Sequence, residues 1–515
     1  MYSKTISGAL LGVNALIINV EVDISSGLPM FSMVGCPGSE VRESRERVWS
    51  ALKNAGYPVP VARITVNLSP ADIHKEGTAY DLPIAIGILE SSGVIPPGCA
   101  DKILIIGELG LNGEIKPVRG VLPIASKAAK SDIKECIVPT ENVREGAVIP
   151  GITVRGASCL SDVVEFLRSP SERILPTTRI DVKELFEESE KSLTDLPDFS
   201  DVSGQEAAKR AAVISAAGFH SMLMTGPPGV GKSLIAKRIP TILPPLSLDE
   251  SLEVTAIYSV AGKLSEDTPL ITKRGFQAPH HSITLPALLG GGMHPKPGAI
   301  SLAHRSVLFL DEFTEFDKRV MESLRQPLEE HRINISRANY SLSYPADFLM
   351  ICAMNPCPCG YYPDRNKCTC SEPVLKRYLS KISGPILDRI DLCVEMSRVS
   401  LNDMSDKADR TGSSEMRRQV MAAREMQKKR YASSAYRFNS EISGSDIDKY
   451  CHLGSEEKSF VESLYESLTL SLRSYHRILR LSRTIADLDS SEKILKKHIL
   501  EAAGFRPNLE YWRNL

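Results

Sequence analysis

Gly226, Pro227, Pro228, Gly229, Val230 and Gly231 run directly into Lys232 and Ser233. The glycines let backbone amides turn inward, and a cation and a hydroxyl follow at once. An apolar strand pattern (SMLMT) precedes the loop and a helix pattern (SLIAKRI) follows it. That order surrounds phosphate oxygens with N–H donors and points the positive end of a helix at the same anion. Lys232 then reaches the β- and γ-phosphates of ATP, and Ser233 ligates Mg²⁺. About 80 residues later, SVLFLDEF closes an apolar strand on Asp311 and Glu312. Carboxylates at the end of a buried strand are costly unless a cation or donor meets them. Mg²⁺·ATP beside the loop supplies one, with Asp311 holding the magnesium and Glu312 polarising the attacking water. A third core strand, DFLMICAMN, ends on Asn355. In ATPases with this order of elements, a polar residue there orients the water.

Cys357, Cys359, Cys368 and Cys370 crowd the loop that leaves Asn355, whereas the other seven of the eleven cysteines are scattered singly. Four thiolates suit a tetrahedral structural Zn²⁺. An iron–sulfur cluster also takes four cysteines, and the Cys-x-Cys spacing leaves that alternative open. A zinc clip would stiffen the loop beyond the Asn355 strand.

Arginines supply a third group. In SGPILDRIDL, Arg389 stands between two aspartates ahead of a strand, either as part of a surface ion cluster or as a finger aimed at a neighbouring subunit's γ-phosphate. Arg473, near the start of an amphipathic helix, either reaches nucleotide from a lid or belongs to a solvated helix face. EEHRINISRANYSLSYPADF alternates as a hairpin carrying Arg332, Arg337 and Tyr340. Arginine beside an aromatic ring suits phosphates and bases, although an ordinary exposed hairpin fits the pattern as well. The basic run holding Arg417, Arg418, Arg424, Lys428, Lys429 and Arg430 reads as a solvated helix face. His280 and His281, and His294 further on, read as satisfied or exposed imidazoles in loop insertions.

The elements that must position these groups fall into zones. The 515 residues suffice for several domains. Residues 1–168 mix strand and helix patterns. Residues 169–200 are rich in Ser, Pro and acidic side chains and read as a linker. Residues 201–397 alternate helix and strand, as in a parallel α/β sheet, and 398–515 are charged, periodic and helical. Lysine and arginine total 62 against 63 acidic residues, so any nucleic-acid surface is local. The N-terminus lacks the features of a signal peptide, and no apolar run has the length of a membrane span. Together with the scattered cysteines, this pattern predicts a cytoplasmic protein with no membrane association.

Further motifs carry a resemblance. GPPGVGKS, APHH, ISLAHRSVLFLDEF, RQPLEE, AMNPCPCG, SGPILDRIDL and RTIADL, together with GLPMFSMVGCPGSEVRESRERVWSALKNAGYPVP and GELGLNGEIKPVRGVLP, resemble the YifB/ComM family of magnesium-chelatase-like AAA+ ATPases. The resemblance spans nearly the whole chain. It implies a Lon-protease-like α+β N-terminal domain (of the S5 domain 2-like type), an AAA+ P-loop α/β core with a parallel sheet, and a C-terminal α-helical lid. It also implies a homo-hexameric ring that hydrolyses ATP and acts on single-stranded or branched DNA, as a helicase or branch-migration factor in recombination and natural transformation. The hairpin with Arg332, Arg337 and Tyr340 would face the ring's pore. A Lon-type peptidase needs a serine and an activating lysine. The matching positions hold Ile84 and, near the second, Leu122. The fold is therefore expected without the peptidase chemistry. Rival readings are a chelatase subunit that drives metal into a porphyrin, and an ATP-dependent Lon-like protease, which Ile84 and Leu122 disfavour.

Overall fold

The computed structural model describes residues 1–170, 174–192, 196–265, 267–292, 295–337, 340–398 and 411–506, and the side chains of Arg337 and Tyr340 fall outside that description. The N-terminal region is built on a seven-stranded mixed sheet. Its centre is the long antiparallel pair Tyr2–Leu11 and Asn14–Ser25. Alternate residues of the second strand (Ile18, Val20, Val22) are completely buried, as a sheet covered on that face requires. The helix Asp81–Ser91 buries every one of its residues against this sheet, and its apolar content runs all round. Ser39–Asn54 packs outside it, presenting Val41, Val48 and Leu52 inward.

The second region carries a five-stranded sheet in the order Phe276–Gln277, Val307–Leu310, Leu349–Met354, Met222–Thr225, Leu392–Glu395, with every pairing parallel. The three middle strands (VLFL, LMICAM and MLMT) are almost uniformly buried, because helices cover both faces and leave no solvent side to alternate with. Parallel pairing brings all the C-terminal strand ends to one edge and all the N-terminal ends to the other. Residues 411–506 are helical apart from short turns, with Ser413–Arg430 and Leu472–Leu488 packed into the same core as the helix Glu206–Gly218. No helix among the described residues is long and apolar enough to cross a membrane.

Two local outcomes differ from the sequence patterns. The Ser/Pro-rich segment before the second region contains a helix, Val182–Lys191, whose Asp181 cap accepts hydrogen bonds from the amides of Lys183 and Glu184. Leu185 and Phe186 seat it on a small apolar cluster with Val148 and Leu270. The basic helix Ser413–Arg430 is only partly solvated. Arg430 grips the buried Asp487, Arg424 lies 4.1 Å over the Phe438 ring, and Arg417 reaches the carbonyl of Leu243 at 2.9 Å. A charge pattern does not reveal which guanidinium will meet a carboxylate from a distant helix.

The predicted hairpin is present: Arg332–Arg337 pairs antiparallel with Tyr340–Pro345, with Arg337 opposite Tyr340 at the tip. Ile333, Leu342 and Tyr344 face inward and Arg332 is exposed at the base. The N-terminal region reaches this hairpin through its first turn, where Val13 joins the cluster holding Leu342 and Tyr344.

Candidate active site

At the C-terminal edge of the five-stranded sheet, the phosphate loop closes between two strand ends. A Cβ on Gly226 would meet the Met396 carbonyl oxygen at 2.4 Å, so only glycine fits. Gly229 and Gly231 have φ of 81° and 94°, the left-handed region that glycine adopts freely. The helix Lys232–Ile242 starts immediately after. Lys232 Nζ donates to the carbonyls of Gly226 (2.6 Å) and Pro227 (3.0 Å) and to Asn355 Oδ1 (3.0 Å). Burial lowers the Lys232 pKa, and Asp311 opposes that shift. Ser233 Oγ donates to Asp311 Oδ2 at 2.7 Å, and the Glu312 amide donates to Asp311 Oδ1 at 2.9 Å. Residues 123 positions apart in sequence thus meet in one site, because Met222–Thr225 and Leu349–Met354 are neighbours in the sheet. Lys232 with the Asn355 amide, and Ser233 with the Asp311 carboxylate, form two bonded pairs of the kind that phosphate and Mg²⁺ would require, and Ser233 with Asp311 offers the oxygen pair that a hard cation takes.

The four-cysteine loop leans on this site. Cys357, Cys359, Cys368 and Cys370 bring all four sulfurs within 4.8 Å of one another, and this is the one such cluster of potential metal ligands among the described residues. The Cys357 sulfur lies 3.3 Å from that of Cys359 and 3.8 Å from that of Cys368. Tetrahedral zinc at ~2.3 Å from each sulfur separates them by roughly 3.8 Å, so the donor set fits. The amides of Gly360 and Tyr362 donate to the Cys357 sulfur at 3.2 and 3.4 Å. Burial raises the Cys359 thiol pKa, but the amides of Tyr361 and Thr369 and the neighbouring Cys357 and Cys370 thiols outweigh it and bring the value to about 6. Gly360, at φ 83°, passes so close to Pro228 that an added Cβ would lie 2.6 Å from its Cδ. The cysteine loop therefore touches the phosphate loop directly, a contact that spacing in the sequence does not reveal.

Arg389 and Arg473 lie elsewhere. Both contact Glu329, in a cavity of about 460 Å³ also lined by Ser221, Phe348 and Asp391. Those three residues precede Met222–Thr225, Leu349–Met354 and Leu392–Glu395, so the cavity is at the N-terminal edge of the sheet. Four-residue strands put roughly 13 Å between the two edges. The arginine pair is thus remote from the Lys232 of its own chain. Arg389 is nearly buried, its side chain 9% exposed, whereas Arg473 is 46% exposed. Burial raises the Glu329 pKa, but its bonds to Arg473 and Arg389 outweigh that and hold the carboxyl below its usual range.

In the N-terminal region, Ile84 and Leu122 are both buried, 0% and 2% exposed. They pack in apolar clusters with no nucleophile or base at either position. The buried acid nearby, Asp81, is occupied by Arg47 at 2.6 and 3.0 Å. Glu145, also buried, accepts from the Leu122 amide at 2.8 Å and contacts Ser259 of the second region.

Comparison with known proteins agrees with this layout. Residues 198–404 match the family "Magnesium chelatase, subunit ChlI", residues 20–142 "Subunit ChlI of Mg-chelatase", and residues 410–506 "Magnesium chelatase, subunit ChlI C-terminal". The chain is similar to the Competence protein ComM of Haemophilus influenzae, 41% identical over 97% of this chain and 96% of that protein. It is likewise similar to YifB of Escherichia coli, 42% identical over 97% of this chain and 96% of that one. A shorter likeness, 28% identity covering 32% of each chain, links it to Lon protease 2 of Bacillus subtilis. With a phosphate loop and its carboxylates at one sheet edge, a helical C-terminal region and near full-length similarity, the chain belongs to the ComM/YifB family of magnesium-chelatase-like AAA+ ATPases.

Proposed function

We propose that this protein is an ATP-driven homo-hexameric motor on DNA, a helicase or branch-migration factor working in the cytoplasm during recombination and natural transformation. Hydrolysis rests on residues already in contact. Lys232 and the backbone amides of Gly226, Gly229, Val230, Gly231, Lys232 and Ser233 bind the phosphates, Ser233 and Asp311 hold Mg²⁺, Glu312 polarises water, and Asn355 orients it while bonded to Lys232. Mg²⁺ held by Ser233 and Asp311 would supply positive charge to offset that of the phosphates.

One observation carries the ring. The phosphate site and the Arg389–Arg473 pair occupy opposite edges of one sheet, so the arginines serve a nucleotide only if it belongs to the next subunit. Glu329 keeps the two guanidiniums together on that face. The name ComM, carried by a close relative, supports the link to competence. Arg332, and Arg337 with Tyr340 at the hairpin tip, supply the cations and the stacking face for a DNA strand in the pore. Zn²⁺ in the four-cysteine loop would be structural, clamping the segment between Asn355 and Pro228.

ATPase activity titrated with single-stranded, forked, four-way and duplex DNA tests the reading. The expected result is stimulation, strongest with branched or single-stranded DNA and weakened by salt as phosphate contacts release counterions. A flat response to every DNA, with porphyrin stimulating instead, would establish the rival reading as a chelatase subunit, which the names of the matching families favour. Degradation of casein should be absent at any ATP concentration, because Ile84 and Leu122 provide neither nucleophile nor base.

A further inference from the structure

Far from the nucleotide site, the N-terminal region sets a thiol beside a base. Met30–Val34 is an edge strand of the seven-stranded sheet and runs parallel to Arg63–Ser69. The chain leaving the first strand turns through Gly35, Cys36, Pro37 and Gly38 into the helix Ser39–Asn54. The chain leaving the second carries His74, Lys75 and Glu76. Parallel pairing brings both exits to one end of the sheet. There the Cys36 sulfur lies 3.6 Å from His74 Nδ1, within hydrogen-bond reach for sulfur, and His74 Nε2 faces Glu76 Oε1 at 3.8 Å. Cys36 is exposed, whereas the other ten cysteines are buried or half-buried.

Main-chain bonds fix this arrangement. The Lys75 amide donates to the Cys36 carbonyl at 3.2 Å, and the Lys75 carbonyl accepts from the Gly38 amide at 2.8 Å. The Lys75 side chain is completely buried and donates to the Pro70 carbonyl, which anchors the histidine loop. A Cβ on Gly38 would lie 2.9 Å from the Lys75 carbonyl oxygen and 3.3 Å from His74 Nε2, so glycine leaves room for the ring. Cys36 itself holds φ 57°, a conformation that a non-glycine residue adopts at a cost. A sharp strand-to-helix turn that presents a nucleophile to a histidine, with a carboxylate behind the ring, is the arrangement of an activated thiol. For Nδ1 to accept the thiol proton, the imidazole carries its own proton on Nε2, the nitrogen turned to Glu76.

The same turn selects the chemistry. Acyl transfer needs amide donors for its oxyanion. Pro37 has no N–H to give, and that of Gly38 is bonded to Lys75. Thiol–disulfide exchange develops its charge on sulfur and needs only a thiolate and a place for the proton. We propose that Cys36 is a modification site for small-molecule disulfides, with His74 as its base and Glu76 orienting the imidazole. Cys36 passes its proton to His74 Nδ1, and the thiolate attacks one sulfur of R–S–S–R. That S–S bond breaks as Cys36–S–S–R forms, and the departing thiolate takes the proton from His74 and leaves as RSH. A free thiol reverses the step by the same path. The site is independent of the motor function proposed above.

The test is the rate at which glutathione disulfide modifies Cys36 in the reduced full chain at neutral pH. Peptide mass spectrometry reads Cys36 apart from the other ten cysteines. Cys36 in the folded chain should react roughly tenfold faster than in the same chain unfolded in urea, because an unassisted thiol is only a few per cent thiolate near neutrality. His74→Gln should lose that advantage, and Glu76→Gln should slow the reaction less. Equal rates for the folded and unfolded parent would overturn the assignment, and this comparison involves no substitution, so it decides even where a variant folds poorly. A His74→Gln chain that melts like the parent and reacts as fast would overturn it too.

Discussion

The two edges of the five-stranded sheet are unequal. The C-terminal edge collects Lys232, Ser233, Asp311 and Asn355 into a site whose polar atoms already bond one another. The N-terminal edge gathers Arg389 and Arg473 on one shared carboxylate, Glu329, and among the described residues no phosphate-binding loop lines that cavity. One edge holds its polar groups in contact within the chain, and the proposed function completes the other against another subunit. Parallel strands enforce the division, because every loop that leaves a strand lies on one side and every loop that enters lies on the other. If the proposed ring holds, binding and triggering fall on different subunits, and activity should depend on assembly.

Breaking the C-terminal edge should have the largest effect. Lys232→Ala removes the main side-chain cation for the phosphates, and ATP turnover should fall below detection in a phosphate-release assay. Glu312→Gln should still bind ATP, measured by a fluorescent analogue, while hydrolysing it very slowly. At the other edge, Arg389→Ala should lower ATPase by ~10³-fold or more if it acts as a finger in trans. Mixing it with Glu312→Gln protein should restore part of the activity, since some interfaces then pair an intact Glu312 with an intact Arg389. A purified Arg389→Ala protein as active as the parent would erase the contrast between the edges.

Two smaller effects sharpen it. Replacing Arg337 and Tyr340 together by alanine should weaken DNA binding and DNA-stimulated ATPase while basal turnover stays near that of the parent. Fluorescence anisotropy with labelled DNA and paired ATPase assays would read both. Elemental analysis should find about one zinc per chain, since a closed structural site takes four ligands. Cys368→Ser should lose that zinc, lower the melting temperature and blunt the response to DNA more than basal turnover, because the loop it loosens touches Pro228. Iron in its place would turn the site toward the iron–sulfur alternative.

Much of the C-terminal edge was legible from the chain. A glycine-rich loop between an apolar strand and a helix has few other uses, and a strand that ends on Asp311 and Glu312 announces a cation. The hairpin and the four-cysteine loop were legible for the same reason, since each is a local pattern of alternation or spacing. His281 was not. Read locally it is one of two adjacent imidazoles in a loop, and only the pairing of Phe276–Gln277 with Val307–Leu310 brings it to Glu312. Glu329 was missed likewise, being one of two adjacent acids on a short helix until Arg389 and Arg473 converge on it.

The sequence by itself determined which groups the protein owns. These are a glycine-rich loop ending on Lys232 and Ser233, the strand-end carboxylates Asp311 and Glu312, four thiols at a spacing that fits zinc, and apolar Ile84 and Leu122 where a peptidase would need a nucleophile and a base. Such information is chemical and local, and it survives reading one segment at a time. The tertiary structure decided which groups face one another. It set Asn355 on Lys232, Gly360 on Pro228 and His281 on Glu312, and it put Arg389 and Arg473 on the far edge from their own nucleotide site. Those pairings depend on strand order, and strand order is fixed by burying apolar faces across the whole sheet, a property that no single segment carries.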